Sequence, residues 1–276
     1  HDKPLWVSVA FSLDKNKKEI LTTEGNVSIF FPAINETSKL RFHIDAPFAS
    51  SVARDSIIKE SADNKIILAN ITQLCADSVH KIKKLGLLNM PFFEILPNED
   101  DELADFYKPI YIALKEEFES ADNELIPVER NLFSNLDNCL YVSNQVKDTF
   151  SNVDDINVVF DVYDEDSNLI GFAKNPKKDS KAKKFISALD GKNDFDNKTV
   201  YRCIYDLASL LDRKASDLYI DDEDSEAIEK IENWLVSKSD AWLQSFYAFL
   251  DDGFQGNCGY FIKLTNGSFN YHSEDL

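Results

Sequence analysis

The chain has 276 residues, 43% of them hydrophobic and 29% charged, the make-up of a globular protein with one large domain or two. Lysine and arginine number 30 against 49 acids, a formal net charge of -19. Such a surface repels a phosphate backbone and argues against sequence-independent nucleic-acid binding. No apolar run is long enough to span a bilayer and no signal-like segment opens the chain, so the expected location is cytoplasmic, with no membrane partner.

The amino-terminal part reads as β-rich. Trp6 to Leu13 is a strand, Asp14 to Lys18 a polar turn, and Val27 to Phe31 a strand stopped by Pro32. Phe42 to Asp45 is a third strand. Ile67, Ile71, Leu74, Cys75, Val79 and Ile82 recur at helical spacing and predict a helix over 62–85. Ser61 or Asp63 suits its start, while His80, Lys81, Lys83, Lys84 and Gly86 suit its end. Tyr107, Ile110, Tyr111, Leu114 and Phe118 share one face of a second helix, with Pro109 in its first turn. Leu125 to Val128 is short and extended. Ile156, Val158, Phe160 and Val162 alternate, which predicts a strand over 155–163.

The lysine-rich stretch 174–181 marks a candidate boundary, beyond which the pattern turns helical. Phe185 to Leu189 is one short helix, and Val200 to Leu211 marks a second. A third includes Ile228, Ile231 and Leu235 behind the acidic run Asp221 to Asp224, where a helix dipole favours negative charge. Ser239-Asp240 can cap a fourth that carries Trp242, Phe246 and Phe249. Tyr260, Ile262 and Leu264 then alternate into Asn266-Gly267, a hairpin turn signal. The four cysteines, Cys75, Cys139, Cys203 and Cys258, are widely spaced and suit free thiols in a reducing compartment.

Chemical machinery is hard to assemble from these residues. There is no G-x-x-x-x-G-K-[ST], G-x-G-x-x-G, G-x-S-x-G or H-E-x-x-H pattern, and 8 glycines leave little for a phosphate cradle. His1, His43, His80 and His272 form no metal-ligand spacing. His43 reads as a structural strand histidine and Asp45 as a strand-end carboxylate rather than a base. The lysine cluster of Lys174, Lys177, Lys178, Lys181, Lys183 and Lys184 reads as a solvated face before an anion patch. One segment stands apart. The strand Phe42-His43-Ile44-Asp45 runs into the small-residue loop Ala46 to Ala53 and delivers Arg54 just before the first long helix. A guanidinium there is a fixed cation whose planar fork matches phosphate oxygens. The bland readings are a helix cap or a pair with Asp55 or another acid of this acidic surface.

Phe30-Phe31-Pro32, Glu36-Thr37, Phe42 to Phe48 and Ala53-Arg54-Asp55 with Ile57 resemble the segment that follows the nucleotide-binding domain in sacsin-type GHKL ATPases. That group includes sacsin repeats, NO VEIN-like plant proteins and large bacterial ATPases associated with antiviral defence. The likeness extends more distantly to the middle segment of the ninety-kilodalton heat-shock chaperone and to the MutL and gyrase transducer domains. Ser239 to Leu243, with Phe246-Tyr247, Phe249-Leu250 and Asn266-Gly267, resembles the module that follows in the same proteins. Ser38-Lys39 departs from the glycine common after the Glu-Thr pair.

The resemblance implies an α+β fold: a transducer-type β-α-β layer, then a mixed region, then a mainly helical module. It implies a transducer-like domain over 1–125 and a mixed region with the helical module over 126–276, truncated at its end. It also implies that Arg54 reaches the γ-phosphate of ATP, with Ser51 beside it in the cofactor-binding loop. ATP and magnesium belong to an upstream ATP-binding domain of the same polypeptide, and this chain holds neither. No activity is expected of the chain alone. A protein client, through Trp234, Trp242 and Tyr247, and a homo-oligomer are the further partners this reading leaves open. An arginine supplied from outside a phosphoryl-transfer pocket is worth ~10³–10⁵ in rate.

Overall fold

The computed structural model describes residues 6–160, 170–216, 218–255 and 261–269. The fold is mixed α+β, with many helices and small sheets. Two compact units interleave along the chain: residues 1–136 with 176–191, and residues 137–175 with 192–276.

The first unit opens with β1 (Ser8–Ala10), β2 (Val27–Ile29), β3 (Phe31–Pro32) and β4 (His43–Asp45). They form one sheet in the order β1-β4-β2-β3, with β2 and β4 parallel and the other pairs antiparallel. Gly25 is required beside this sheet. A Cβ there would lie 2.1 Å from the Phe42 carbonyl oxygen and 2.7 Å from that of Leu40, whose carbonyl accepts the Gly25 N–H. Helix α1 (Ala62–Lys84) buries Ile67, Ile71, Cys75, Val79 and Ile82, the stripe that the spacing predicts. Its last turn carries Lys81, Lys83 and Lys84, and Gly86 follows at φ +71 in the left-handed region where glycine costs least. The Asn64 side chain is fully buried on this apolar face.

Next come α2 (Met90–Phe93) and α3 (Lys108–Glu119), then the short antiparallel pair β5 (Ile126–Pro127) and β6 (Phe133–Ser134). Pro109 sits in the first turn of α3, where its missing N–H breaks no helical bond. Ile110, Leu114 and Phe118 of α3 are buried, and α1 and α3 pack together.

At Asp137 the chain enters the second unit with β7 (Cys139–Val142), α4 (Asn144–Thr149), α5 (Val153–Val159) and β8 (Gly171–Phe172). It returns to the first unit for α6 (Lys181–Ser187), where Phe185 meets Phe93 and Phe118 at ring distances of 6.2 and 5.4 Å. From Lys192 it rejoins the second unit with β9 (Asn193–Phe195), α7 (Asn197–Ala215), α8 (Asp222–Val236) and α9 (Asp240–Asp251). The parallel sheet β8-β7-β9 and these helices enclose a core that includes Phe150, Phe172, Trp234, Phe246 and Phe249.

The strand expected over 155–163 is a helix where the structure describes it. Asn152 caps α5: its side chain accepts from the Asp154 N–H, and Asp155 accepts from the Asn152 N–H. This reciprocal cap outweighs the alternation of β-branched residues. Ile156 and Val159, one helical turn apart, are both buried. Residues 161–163 lie outside the described residues, as do His1, Cys258, Tyr260 and His272. The Asn266-Gly267 turn is present: the Gly267 N–H donates to Leu264, Gly267 has φ +85, and Lys263 bridges Phe269. Among the described residues, no helix is long and apolar enough to cross a membrane.

Candidate functional site: the Arg54 loop

After β4 the backbone folds into two short antiparallel arms. Ser50 bridges Ile57, the Ser51 N–H donates to the Ser56 carbonyl at 3.1 Å, and the Ile58 N–H to that of Ala49 at 2.9 Å. Residues 52–55 form the tip. The Arg54 N–H closes a turn onto the Ser51 carbonyl at 3.0 Å, and Arg54 itself sits at φ +56. A left-handed backbone at a non-glycine residue costs about 1–3 kcal/mol and persists only when its surroundings hold it.

Those surroundings are explicit. At the base, buried Asn64 accepts from the Ala49 N–H and donates to the carbonyls of Ala49 and Ile58. At the tip, Asp55 takes the Ser51 hydroxyl at 2.7 Å, the Asn35 amide at 2.7 Å and the Ser56 hydroxyl at 3.2 Å. The Ser51 hydrogen bond, then that of Asn35, holds the Asp55 carboxyl below its ordinary value of 3.8. At the side, Glu36 is 4% exposed and accepts from the Tyr107 hydroxyl at 3.0 Å and Lys59 at 3.0 Å. Burial first, and then the Glu36 charge, hold the Tyr107 phenol protonated far above its usual range.

Arg54 is exposed, and its guanidinium has no hydrogen bond or ion pair among the described residues. Neither bland reading of it describes the loop. The N-cap position of α1 belongs to Ser61, and the Asp55 carboxylate is committed to Ser51, Asn35 and Ser56. Ser51 is a brace, with its hydroxyl proton on Asp55 and its backbone closing both the turn and the arms. Near Arg54 the apolar residues Val52 and Ile34 are almost wholly exposed, at 105% and 83%; Phe31, on β3, is 72% exposed. The Asn35 N–H bond to the Asp55 carbonyl brings the segment carrying Ile34 against the tip. Two clefts of about 640 and 540 Å³ lie in the same unit; Pro47, Phe48 and Ala49 at the base of the loop help to line the first, and neither is lined by Arg54.

The bracing residues Asn35, Glu36, Asn64 and Tyr107 are the site's unforeseen part. Only Asn64 leaves a trace in the sequence, as an amide on the apolar face of a helix. His43 accepts the Asn26 N–H at Nδ1, 3.1 Å, so in the neutral ring Nε2 carries the proton and offers no base. Lys181 pairs with Asp101, and Lys184 with Asp100 at 2.7 Å, so these two lysines form no open anion patch. Burial, then Arg41 and Lys184, bring Lys181 down to about 8. Among the described residues, no group of three His, Cys, Asp or Glu side chains could hold a metal ion.

The aromatic residues offered to a client lie inward. Trp234 is 4% exposed. Trp242 stacks on Phe246 at 5.0 Å, and the Tyr247 hydroxyl donates to the Phe261 carbonyl at 2.8 Å. They form core because amphipathic helices turn such rings inward. No family model, curated protein or solved structure matches this chain.

Proposed function

We propose that this chain is the coupling segment of a cytoplasmic GHKL-type ATPase, and that Arg54 senses the γ-phosphate of ATP. The nucleotide and its magnesium are held by an upstream domain of the same polypeptide. The observation that carries the reading is an unpaired guanidinium, carried on a braced loop backbone, on a protein of net charge -19. Acids outnumber bases, so an arginine left without one is available to an anion from elsewhere. Arg54 lines neither of the two described clefts, which fits a phosphate that arrives on another body. Exposed Val52, Ile34 and Phe31 give that body an apolar rim to cover.

Phosphoryl transfer depends on positioning and electrostatics more than on covalent chemistry, so one well-placed cation matters. ATP draws Arg54 to the terminal phosphate, and hydrolysis releases it, which biases the loop between two arrangements. The test is Arg54→Ala in the full-length protein. The expected result is a fall in kcat of at least about tenfold, within the range an external arginine commands, with nucleotide binding retained. Hydrolysis at the parental rate removes the proposal, as does a parent protein with no upstream ATP-binding domain.

A second reading is a client-binding segment of a chaperone-like or defence protein, favoured by the same exposed apolar residues. It predicts that Ile34→Ser and Val52→Ser abolish client capture while Arg54→Ala leaves hydrolysis unchanged.

A further inference from the structure

We propose that the open edge of β1 takes an extended, lysine- or arginine-bearing segment of a partner protein as an added strand, with side chains of that segment entering the cleft between Val7 and α1.

β1 stands at one end of the sheet order β1-β4-β2-β3. The hydrogen bonds of β4 show which groups of β1 face outward. The Ile44 N–H donates to the Asn26 carbonyl at 2.9 Å and the Ala46 N–H to that of Ser28 at 3.2 Å, so Ile44 and Ala46 turn their backbone bonds toward β2. Val9 stands opposite Ile44 in the antiparallel ladder and is therefore its non-hydrogen-bonded partner. The Val9 N–H and C=O point away from β4, to the side where no described strand lies. The Val7 backbone, two residues earlier, has no hydrogen bond among the described residues. Such unpaired main-chain groups are a template for a further strand. Natural edges are blunted by charge or proline, yet the run from Trp6 to Leu13 contains neither.

The cleft beside this edge specifies the occupant. Its volume is about 640 Å³, and Val7 and Phe48 line it together with Ile66, Ile67 and Leu74 of α1. Every second side chain of an added strand can enter apolar walls of that kind, while the main-chain bonds hold the strand to β1. The charged residues of the lining are Asp63 and Asp77, with no lysine, arginine or histidine. They stand fourteen residues apart on α1, about 21 Å at roughly 1.5 Å per residue. An extended segment covers that distance in about six residues. Charge complementarity therefore selects a segment with a basic residue near each end. A second copy of this chain is disfavoured, because it brings the same net charge of -19. The inference does not depend on Arg54.

The test is hydrogen exchange by NMR on the full chain, titrated with a blocked seven-residue peptide of alternating valine and threonine that carries lysine at both ends. The same peptide with glutamate at both ends is the control. Without peptide, and corrected for intrinsic rates, the Val7 and Val9 amides should exchange at least tenfold faster than that of Ile44. Saturating lysine peptide should slow both at least tenfold, and the glutamate peptide should bind at least tenfold more weakly. Val9→Pro removes the outward N–H without breaking a bond to β4, and should abolish binding. Asp77→Asn alters an exposed residue and should weaken binding about twofold to fivefold, and it decides the matter if Val9→Pro does not fold. The proposal is overturned by protection of Val9 in the chain alone, by no saturable change with the lysine peptide, by binding that leaves Val7 and Val9 unprotected, by equal binding of the glutamate peptide, or by unchanged affinity in either folded variant. Protection that grows with protein concentration alone, at the mass of two copies, assigns the edge to a second copy and overturns it as well.

Discussion

Replacing Asp155 by alanine should unfold the second unit's core more easily than any surface change. Asp155 is 2% exposed and Lys238 is 8% exposed, and the two are paired. The same carboxylate takes the Trp234 indole N–H at 2.8 Å and the Asn152 N–H at 3.2 Å. The Lys238 ammonium lies 5.3 and 5.0 Å from the Trp234 and Trp242 ring centres. Removing the acid leaves an ammonium and an indole N–H buried without an acceptor and uncaps α5. Breaking a buried pair from one side costs roughly 3–5 kcal/mol. At roughly 2–8 °C per kcal/mol, depending on the size of the cooperative unit, the transition should fall by on the order of 10–20 °C. Tryptophan fluorescence during urea unfolding is the assay, since Trp234 and Trp242 sit at the pair. The companion is the double variant Asp155→Leu/Lys238→Met, which removes both charges and keeps the volume. It should recover most of the loss, because an apolar replacement of a buried pair is often neutral or better. An Asp155→Ala transition within about 1 kcal/mol of the parent, the size of an ordinary substitution, refutes the reasoning.

The Arg54 loop yields further expectations. Arg54→Gly relieves the left-handed backbone, so the unit should melt no lower than the parent, whereas Arg54→Ala keeps the strain and gains nothing. Asp55 has a folded-state value depressed below 3.8, so its bracing is fully present above that pH and is lost as pH falls through the depressed value. Amide exchange at Ser51 and Ser56, corrected for intrinsic rates, should therefore accelerate selectively in acid and stay protected near neutrality. Gly25→Ala forces the Phe42 and Leu40 carbonyls away from the new methyl group and should cost about 3 kcal/mol, read as a lowered urea midpoint. Burial pushes the Cys75 and Cys139 thiols up to about 12, so both should resist iodoacetamide at pH 8 and react on denaturation, as peptide mapping would show.

How much of this is legible in the sequence depends on the range of the interaction. Helix α1 is readable because its stripe, its terminal lysines and Gly86 all act within a few residues. Helix α5 is missed because the alternation of Ile156, Val158 and Phe160 fits a strand template, while the deciding contact is the Asn152–Asp155 cap. That cap is also local and could have been found. Arg54 is picked out by its setting between a strand and a helix. Its supports are not, because the Tyr107–Glu36 bond joins residues 71 apart; the Trp234–Asp155 bond of the second unit, between residues 79 apart, is hidden for the same reason. Nothing in composition or periodicity reports such pairings. The inward turn of Trp234 and Trp242 follows ordinary helical amphipathicity, with Asp155 as the added reason.

The return of residues 176–191 to the first unit has a consequence for biosynthesis. Phe185 completes a ring cluster with Phe93 and Phe118, so the amino-terminal body lacks part of its interior until Gly191 has cleared the ribosome. By then β7, α4, α5 and β8 have already emerged. Translation at about 5–20 residues per second leaves the Phe93–Phe118 surface uncovered for seconds, a window in which a nascent-chain holdase has apolar surface to grip.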